Sequence, residues 1–417
     1  MNARPAKNYD VIVVGGGPAG TSASIHLAMR GARVALVERE RFPRAKLCGE
    51  FISPECLAHF ARLGVLEEMR VSGGARVGET IFFARSGRRV GVPSAWFGAE
   101  TPGDGEAGAL GLSRAEMDHR LLLRARAVGV EVLEEAQVSG LLFGNEGRRV
   151  AGVRVERQGA ESELRAAITI DATGRTRALA RRVAASSKMS AANEASEARG
   201  GGASPPKRMP LVAFKAHLEN AAGGEGVCEI YFYRGGYGGL SRVERGLSNL
   251  CFIVAARDVR ARASDAERVM REIVMSNTRA AETLRGARVS SEWLAVALES
   301  FGRRELIPCE GLLTVGDAAS FIDPFTGSGM LMALESGELA GACITRALPG
   351  LRTGGGFAPL ATDYRARYRE RFAARLRVCS WLRRAAFAPR LATEAGIFAL
   401  GLSERVRRAL AHATRPA

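Results

Sequence analysis

The sequence predicts an α/β fold: a discontinuous domain built on a parallel sheet, a mixed β-sheet domain, and a helical C-terminal region. Three observations predict it. Val11-Ile12-Val13-Val14 is a short, wholly apolar run, as a central parallel strand must be when both its faces are covered. It leads through a glycine-rich turn into a helix and a second apolar run, a βαβ unit near the N-terminus. A third apolar run, Gly311–Val315, lies some 300 residues later, with strands of mixed character between. The parallel domain is therefore interrupted, and 417 residues suffice for two or three domains.

Taken in order, Thr21–Arg30 reads as a helix that Gly31 ends, and Arg33–Val37 as the strand that delivers Glu38. Ser53–Leu63 reads as a helix with Pro54 in its first turn and Gly64 as its stop. Val77–Val92 holds two strand-like runs around Ser86-Gly87, a hairpin. Ser113–Val128 is helical, with Ser113 and Glu116 spaced as a capping box. Val130–Leu133, Val138–Phe143, Arg149–Arg157 and Leu164–Ile170 read as strands. Residues 184–206 are rich in Ala, Ser, Glu and Gly with little to bury, and read as a flexible insertion. Strands resume at Leu211–Leu218, Val227–Tyr233 and Asn249–Ala255; Asp265–Ser276, Gly329–Leu348 and about 363–407 read as helical. The expected boundaries are 8–75, 105–183 and 300–348 for the parallel domain, 76–104 and 207–299 for the mixed-sheet domain, and 349–417 for the helical region.

Composition narrows the function classes. Apolar residues at 47% and charged residues at 25% exclude a mostly disordered chain. Seven cysteines, an odd number with no C-x-x-C pair, argue against a disulfide framework or a structural zinc site, and fit a reducing cytoplasm. The net charge of +16 is carried by arginine, since only five of the 60 basic residues are lysine. Spread along the chain, that excess reads as base composition rather than as a nucleic-acid surface. No apolar run reaches the roughly 18 residues of a membrane span, and the N-terminal run is too broken by glycine for a signal peptide. The five histidines are not spaced with Ser, Cys or one another, so neither a metal site nor a hydrolytic triad is expected.

The chemistry concentrates in a few motifs. Gly15-x-Gly17-Pro18-Ala19-Gly20 follows a strand and opens a helix, and Glu38 ends the next strand 18 residues on. That is the context of a Rossmann-type dinucleotide site. Gly15 permits the tight turn, Gly17 leaves room for a pyrophosphate, and Gly20 lets helix and strand close. The helix N-terminus supplies N–H groups and partial positive charge, and Glu38 suits ribose hydroxyls. The same spacing recurs at Gly103, Gly105 and Gly108 with no strand or helix around it, so it reads as loop. The chain thus carries a single dinucleotide fold.

Ile170-Asp171-Ala172-Thr173-Gly174-Arg175 and Val315-Gly316-Asp317, the latter running through Asp323-Pro324-Phe325-Thr326-Gly327-Ser328-Gly329 into a helix, resemble the second and third motifs of the flavoprotein hydroxylase superfamily, in the same order. Within it, Arg44-Ala45-Lys46-Leu47-Cys48-Gly49-Glu50, Leu112-Ser113-Arg114 and Asp317…Gly327…Gly337 resemble the geranylgeranyl reductase group; Glu50 stands where that group has glycine. The resemblance covers about 8–180 and 210–345. It implies FAD, held by Gly15, Gly17, Pro18, Ala19, Gly20, Glu38, Arg39, Arg44, Arg114, Asp171, Gly174, Gly316, Asp317, Pro324, Gly327, Gly329 and Met330, with NADPH or NADH as electron donor. Asp317 would meet the ribitol and the Gly327–Gly329 helix end the N1–C2=O edge of the flavin, where reduction places negative charge.

The resemblance also places Cys48 near the flavin, as a catalytic thiol or as a small packed residue. Glu50 reads as a solvated turn residue rather than a proton source. In Tyr231-Phe232-Tyr233-Arg234-Gly235-Gly236-Tyr237, alternation puts Tyr231 and Tyr233 on one face; with Tyr237 they are expected to roof the substrate pocket. Arg365, Arg367, Arg369, Arg371, Arg375, Arg377, Arg383 and Arg384 gather near Trp381 and Phe387, either a solvated helix face or a peripheral contact with the inner face of a membrane. The expected activity is reduction of carbon–carbon double bonds in a prenyl or similar apolar substrate by hydride from flavin N5. The alternative is oxygenation of an aromatic or polyketide substrate through a flavin hydroperoxide. A halogenase is a weaker third, since no Trp-x-Trp-x-Ile segment occurs.

Overall fold

Strand Lys7–Val14 runs through the middle of a seven-stranded sheet, with Val11, Ile12 and Val13 wholly buried, as its apolar sequence requires. The computed structural model describes residues 7–97, 108–144, 147, 149–185, 210–298, 301–353 and 355–415. The sheet order is Glu131–Leu133, Val34–Val37, Lys7–Val14, Ala160–Asp171, Val150–Arg157 and Ala136–Phe143, with Leu312–Thr314 beside the last turn of Ala160–Asp171. The first four strands and Leu312–Thr314 are parallel; Val150–Arg157 and Ala136–Phe143 form an antiparallel edge. The late return of Leu312–Thr314 makes the parallel unit discontinuous in sequence. Helix Gly329–Arg352 then packs on helix Pro18–Ala28 through small residues: a Cβ on Gly337 would strike the Ala19 carbonyl. That contact brings two motifs some 300 residues apart to one spot.

The second sheet has eight strands, ordered Arg288–Val289, Leu211–Glu219, Ser248–Ala255, Gly236–Arg242, Val227–Tyr233, Glu79–Phe83 and Arg89–Pro93, with Leu294–Leu298 beside Leu211–Glu219 on the same edge as Arg288–Val289. Only the pairing of Val227–Tyr233 with Glu79–Phe83 is parallel, so the sheet is mixed. Helices Ala266–Glu272 and Thr278–Leu284 cover one face, packing Val269, Met270 and Leu284 on Tyr231, Tyr233, Phe214 and Phe252. The other face looks toward the parallel unit and the C-terminal helices, through Ala213, Phe232, Tyr237 and Ile253. The expected insertion lies largely outside the described residues, as does most of the second glycine pattern.

Helices Ala358–Ala386, Arg390–Leu402 and Glu404–Ala413 close the chain. Several of the arginines expected on a basic face are engaged in ion pairs. Arg375 is buried and bound to Glu335 at 2.6 Å, with Arg371 on the same carboxylate at 3.0 Å. Arg365 pairs with Glu305, Arg367 with Asp363 and Arg383 with Asp323. Arg365, Arg371, Arg375 and Arg383 hold the helix to the body of the protein, whereas Arg367 pairs within it. Leu391, Phe398 and Leu402, spaced along one side of the next helix, remain exposed. Among the described residues, no helix is long and apolar enough to cross a membrane.

Candidate active site

The glycine turn does what its spacing requires. Gly15 sits at φ +111°, and a Cβ there would collide with the Ala172 carbonyl. A Cβ on Gly20 would collide with the carbonyl of Gly15, so this glycine serves the packing of helix on strand and faces no cavity. Gly17 differs: a Cβ there would meet nothing nearer than the Arg114 guanidinium at 3.8 Å. Its open side belongs to a cavity of about 860 Å³ that runs from the turn to the face of the second sheet.

One half of that cavity is basic and polar, lined by Arg39, Arg44, Lys46, Arg114, Arg175 and Arg182. Asp118, wholly buried, orients two of them: it takes Arg114 at 2.7 and 2.8 Å and Arg44 at 3.2 Å. Burial, then Arg44, Arg114 and Arg39, push Lys46 down, the mark of concentrated positive charge. Glu38 accepts from the Gly16 amide at 2.7 Å and the Glu40 amide at 3.0 Å, which fixes its carboxylate beside the turn. Asp317 lines the cavity, and burial raises it against the pull of Arg175, Arg114 and Lys46. Pro18, Ala19, Gly174, Gly316, Pro324, Gly327, Gly329 and Met330 also line it. Asp171 does not. Its oxygens accept from Thr173 at 2.6 and 3.0 Å and from the Leu179 and Ala180 amides, so it organises its own loop.

The other half is apolar. Phe82, Phe232, Tyr237 and Phe325 form one aromatic group, with Phe325 5.2–5.7 Å from each of the other three ring centroids. Leu382, Ile397, Leu400 and Leu410 of the C-terminal helices close it. The expected tyrosine roof is corrected here. Alternation does set Tyr231 and Tyr233 apart from Phe232, but it is Phe232 that faces the cavity. Tyr231 donates to Glu229 at 2.8 Å and Tyr233 to the Ile253 carbonyl at 3.1 Å, partners available on the helix-covered face. Glu229 is itself held there by Arg279. Of the three tyrosines only Tyr237 lines the cavity, and its hydroxyl donates to Asp323. Arg383 binds the second Asp323 oxygen at 2.9 Å, so the C-terminal region fixes the turn that leads into Gly327–Gly329.

Cys48 lines the cavity between Arg114 of the basic part and Cys251 of the second sheet. Its carbonyl accepts from Asn249 at 3.1 Å, and its sulfur from the Glu50 amide at 3.4 Å. Glu50 is no solvated turn residue. It is wholly buried, at φ +54°, and its carboxylate accepts from Lys215 at 2.8 Å, pairs with His217 at 2.6 Å and takes the Arg114 amide at 2.9 Å. Sequence reasoning missed this cluster and dismissed His217. The available signal was a polar pair, Lys215 and His217, at period two in an otherwise apolar strand.

The match to known proteins decides the class. A family model described as an FAD binding domain spans residues 8–350. The chain belongs to that family. It is a flavoprotein of the oxidoreductase type, and the resemblance to the geranylgeranyl reductase group holds. A digeranylgeranylglycerophospholipid reductase of Methanosarcina mazei is 28% identical over 346 residues, 82% of this chain and 76% of that protein. A 1H-pyrrole-2-carbonyl-[peptidyl-carrier protein] chlorinase of Pseudomonas fluorescens is 21% identical over 82% of this chain and 76% of its own. In fold, the chain is similar to a geranylgeranyl bacteriochlorophyll reductase-like protein from Thermoplasma acidophilum, with a TM-score of 0.71 and 18% identity, over 98% of this chain and 96% of that one. The residues fit FAD: the open side of Gly17 admits a pyrophosphate, the arginine wall balances its charge, and Asp317 reaches into the cavity beyond it.

Proposed function

We propose that this flavoprotein reduces carbon–carbon double bonds of a prenyl or similarly apolar substrate. The carrying observation is the two-part cavity, in which an aromatic and aliphatic half adjoins the basic half, with Cys48 in its wall. Bound FAD, once reduced, supplies hydride. The protein's residues do the rest. Phe82, Phe232, Phe325 and the C-terminal leucines exclude water and hold an apolar chain. Cys48, from the cavity wall, offers a proton to the carbon that does not receive hydride, so that two hydrogens are added for one π-bond lost. The Tyr237 hydroxyl is engaged by Asp323, and Tyr231 and Tyr233 are turned away from the cavity.

The named reductase relative supports this reading. The chlorinase relative favours a second one, in which the reduced cofactor reacts with oxygen and an aromatic or polyketide substrate is oxidised. The test of the first is direct. FAD-loaded protein, reduced with NADPH, NADH or dithionite, is mixed without air with a geranylgeranyl lipid. Product gaining hydrogen pairs is the expected result; recovery of unchanged lipid with every reductant would remove the proposal.

We also propose that the C-terminal helices rest on an anionic bilayer. Leu391, Phe398 and Leu402 form an exposed apolar stripe on a helix whose Ile397 and Leu400 line the cavity, and the chain carries +16. A lipid substrate would then reach the apolar half from the membrane side.

A further inference from the structure

The loop that carries Cys48 is bolted to the second sheet by buried charge. Lys215 and His217 are two residues apart on strand Leu211–Glu219 and point the same way. Across the antiparallel pair, Lys215 lies opposite Cys251 and His217 opposite Asn249. All four face the Cys48–Glu50 loop: Asn249 donates to the Cys48 carbonyl, and Lys215 and His217 bind the Glu50 carboxylate. The Asn249 side-chain oxygen is buried with no hydrogen-bond partner.

Glu50 is costly where it stands. A non-glycine residue in the left-handed region is strained, because its Cβ crowds the backbone. Its carboxylate is also removed from water, which is tolerated only with partners. Burial would raise Glu50, but the bond to His217 and the charge of Lys215 outweigh it and hold the carboxylate below its ordinary range. Glycine would meet the backbone requirement with neither cost. The acid therefore acts on something, and the group its backbone amide touches is the sulfur of Cys48.

We propose that Glu50, Lys215 and His217 are positioning residues that hold Cys48 in the cavity wall and set the charge its sulfur faces. The proposal rests on the reading of Cys48 given above and deepens it. Arg114 reaches Cys48 from the cofactor side, itself bound with Arg44 to Asp118 and close to Lys46; Cys251 faces Cys48 from the sheet side, and Lys215 and Glu50 lie against Cys251. On the cofactor side Asp118 is engaged by Arg114 and Arg44, and Asp317 faces Arg114 and Lys46; on the sheet side the acid is Glu50, with His217 the member of its cluster nearest solvent. The His217 imidazole, 2.6 Å from the Glu50 carboxylate, offsets that charge from the solvent side.

The test measures alkylation of Cys48 by iodoacetamide across pH in the FAD-loaded protein, read at the Cys48 peptide by mass spectrometry. Burial pushes Cys56, Cys228, Cys251, Cys309, Cys343 and Cys379 up, so those thiols react slowly at neutral pH. Glu50→Gln removes the acid and should move the profile to lower pH, speeding alkylation at fixed pH by roughly threefold to tenfold. His217→Gln leaves Glu50 with Lys215 alone and should move it to higher pH. A merely structural clamp predicts altered rates with an unmoved profile, and that result in both variants overturns the proposal. If Glu50→Gln does not fold, His217→Gln decides alone, since its side chain is at the solvent edge and the Glu50–Lys215 pair survives it. Alkylation needs no turnover. A Cys48→Ala protein with unchanged activity would overturn the catalytic reading of Cys48 and leave the charge coupling to stand or fall on the profile.

Discussion

At the scale of single residues, Gly17 is the position on which cofactor binding turns. Gly17→Val would fill the space through which a pyrophosphate reaches the backbone. With two charge-assisted hydrogen bonds lost at about 1.5 kcal/mol or more each, FAD affinity should fall by about 100-fold. Titration of apoprotein with FAD checks this; a variant that stays yellow and saturated contradicts it. Cys48→Ala should keep FAD and lose most product formation. The glycine motif was legible because each glycine answers a local demand of turn, approach or packing. The tyrosines were misread because alternation says which residues share a face and not which face is covered by helices. The Glu50 cluster was illegible because its members lie 165 and 167 residues apart in sequence and meet only through the register of the sheet on the loop.

At the scale of elements, helix Pro54–Leu63 is tied to helix Gly329–Arg352 by Glu338, which binds His59 at 2.9 Å and Arg62 at 3.0 Å. Burial would raise Glu338, but those hydrogen bonds hold it at about 2, below the ordinary 4.5. A depressed acid stabilises the fold above its unfolded value and loses that contribution as pH falls through the folded one. Melting temperature should therefore drop between pH 4.5 and 2, and Glu338→Gln should flatten that part of the curve. An unchanged acid limb would show that the pair contributes nothing there. The helix Arg390–Leu402 gives a second prediction. Leu391→Asp with Phe398→Asp should abolish cosedimentation with vesicles containing phosphatidylglycerol while FAD stays bound. Equal sedimentation of variant and parent would refute the membrane contact. Helices were legible from caps and glycine stops: the Glu116 amide does donate to the Ser113 hydroxyl. The ion pairs of Arg365, Arg371, Arg375 and Arg383 were not, because their acids come from other elements.

At the scale of the molecule, the parallel unit could be recognised as discontinuous because its motifs keep their order and chemistry across the interruption. What the order of motifs cannot carry is the reaction. Reductases and halogenating enzymes share this fold, and function lies in the cavity that the second sheet and the C-terminal helices complete. Here Phe82, Phe232, Phe325 and the C-terminal leucines line that cavity, which is the ground for proposing reduction. The most direct test uses the FAD-loaded, reduced protein and an extract of lipids and aromatic compounds, incubated with and without oxygen and followed by mass spectrometry. The account predicts a compound that gains a pair of hydrogens and does so equally without oxygen. A compound that gains one oxygen atom, and only in air, would contradict it.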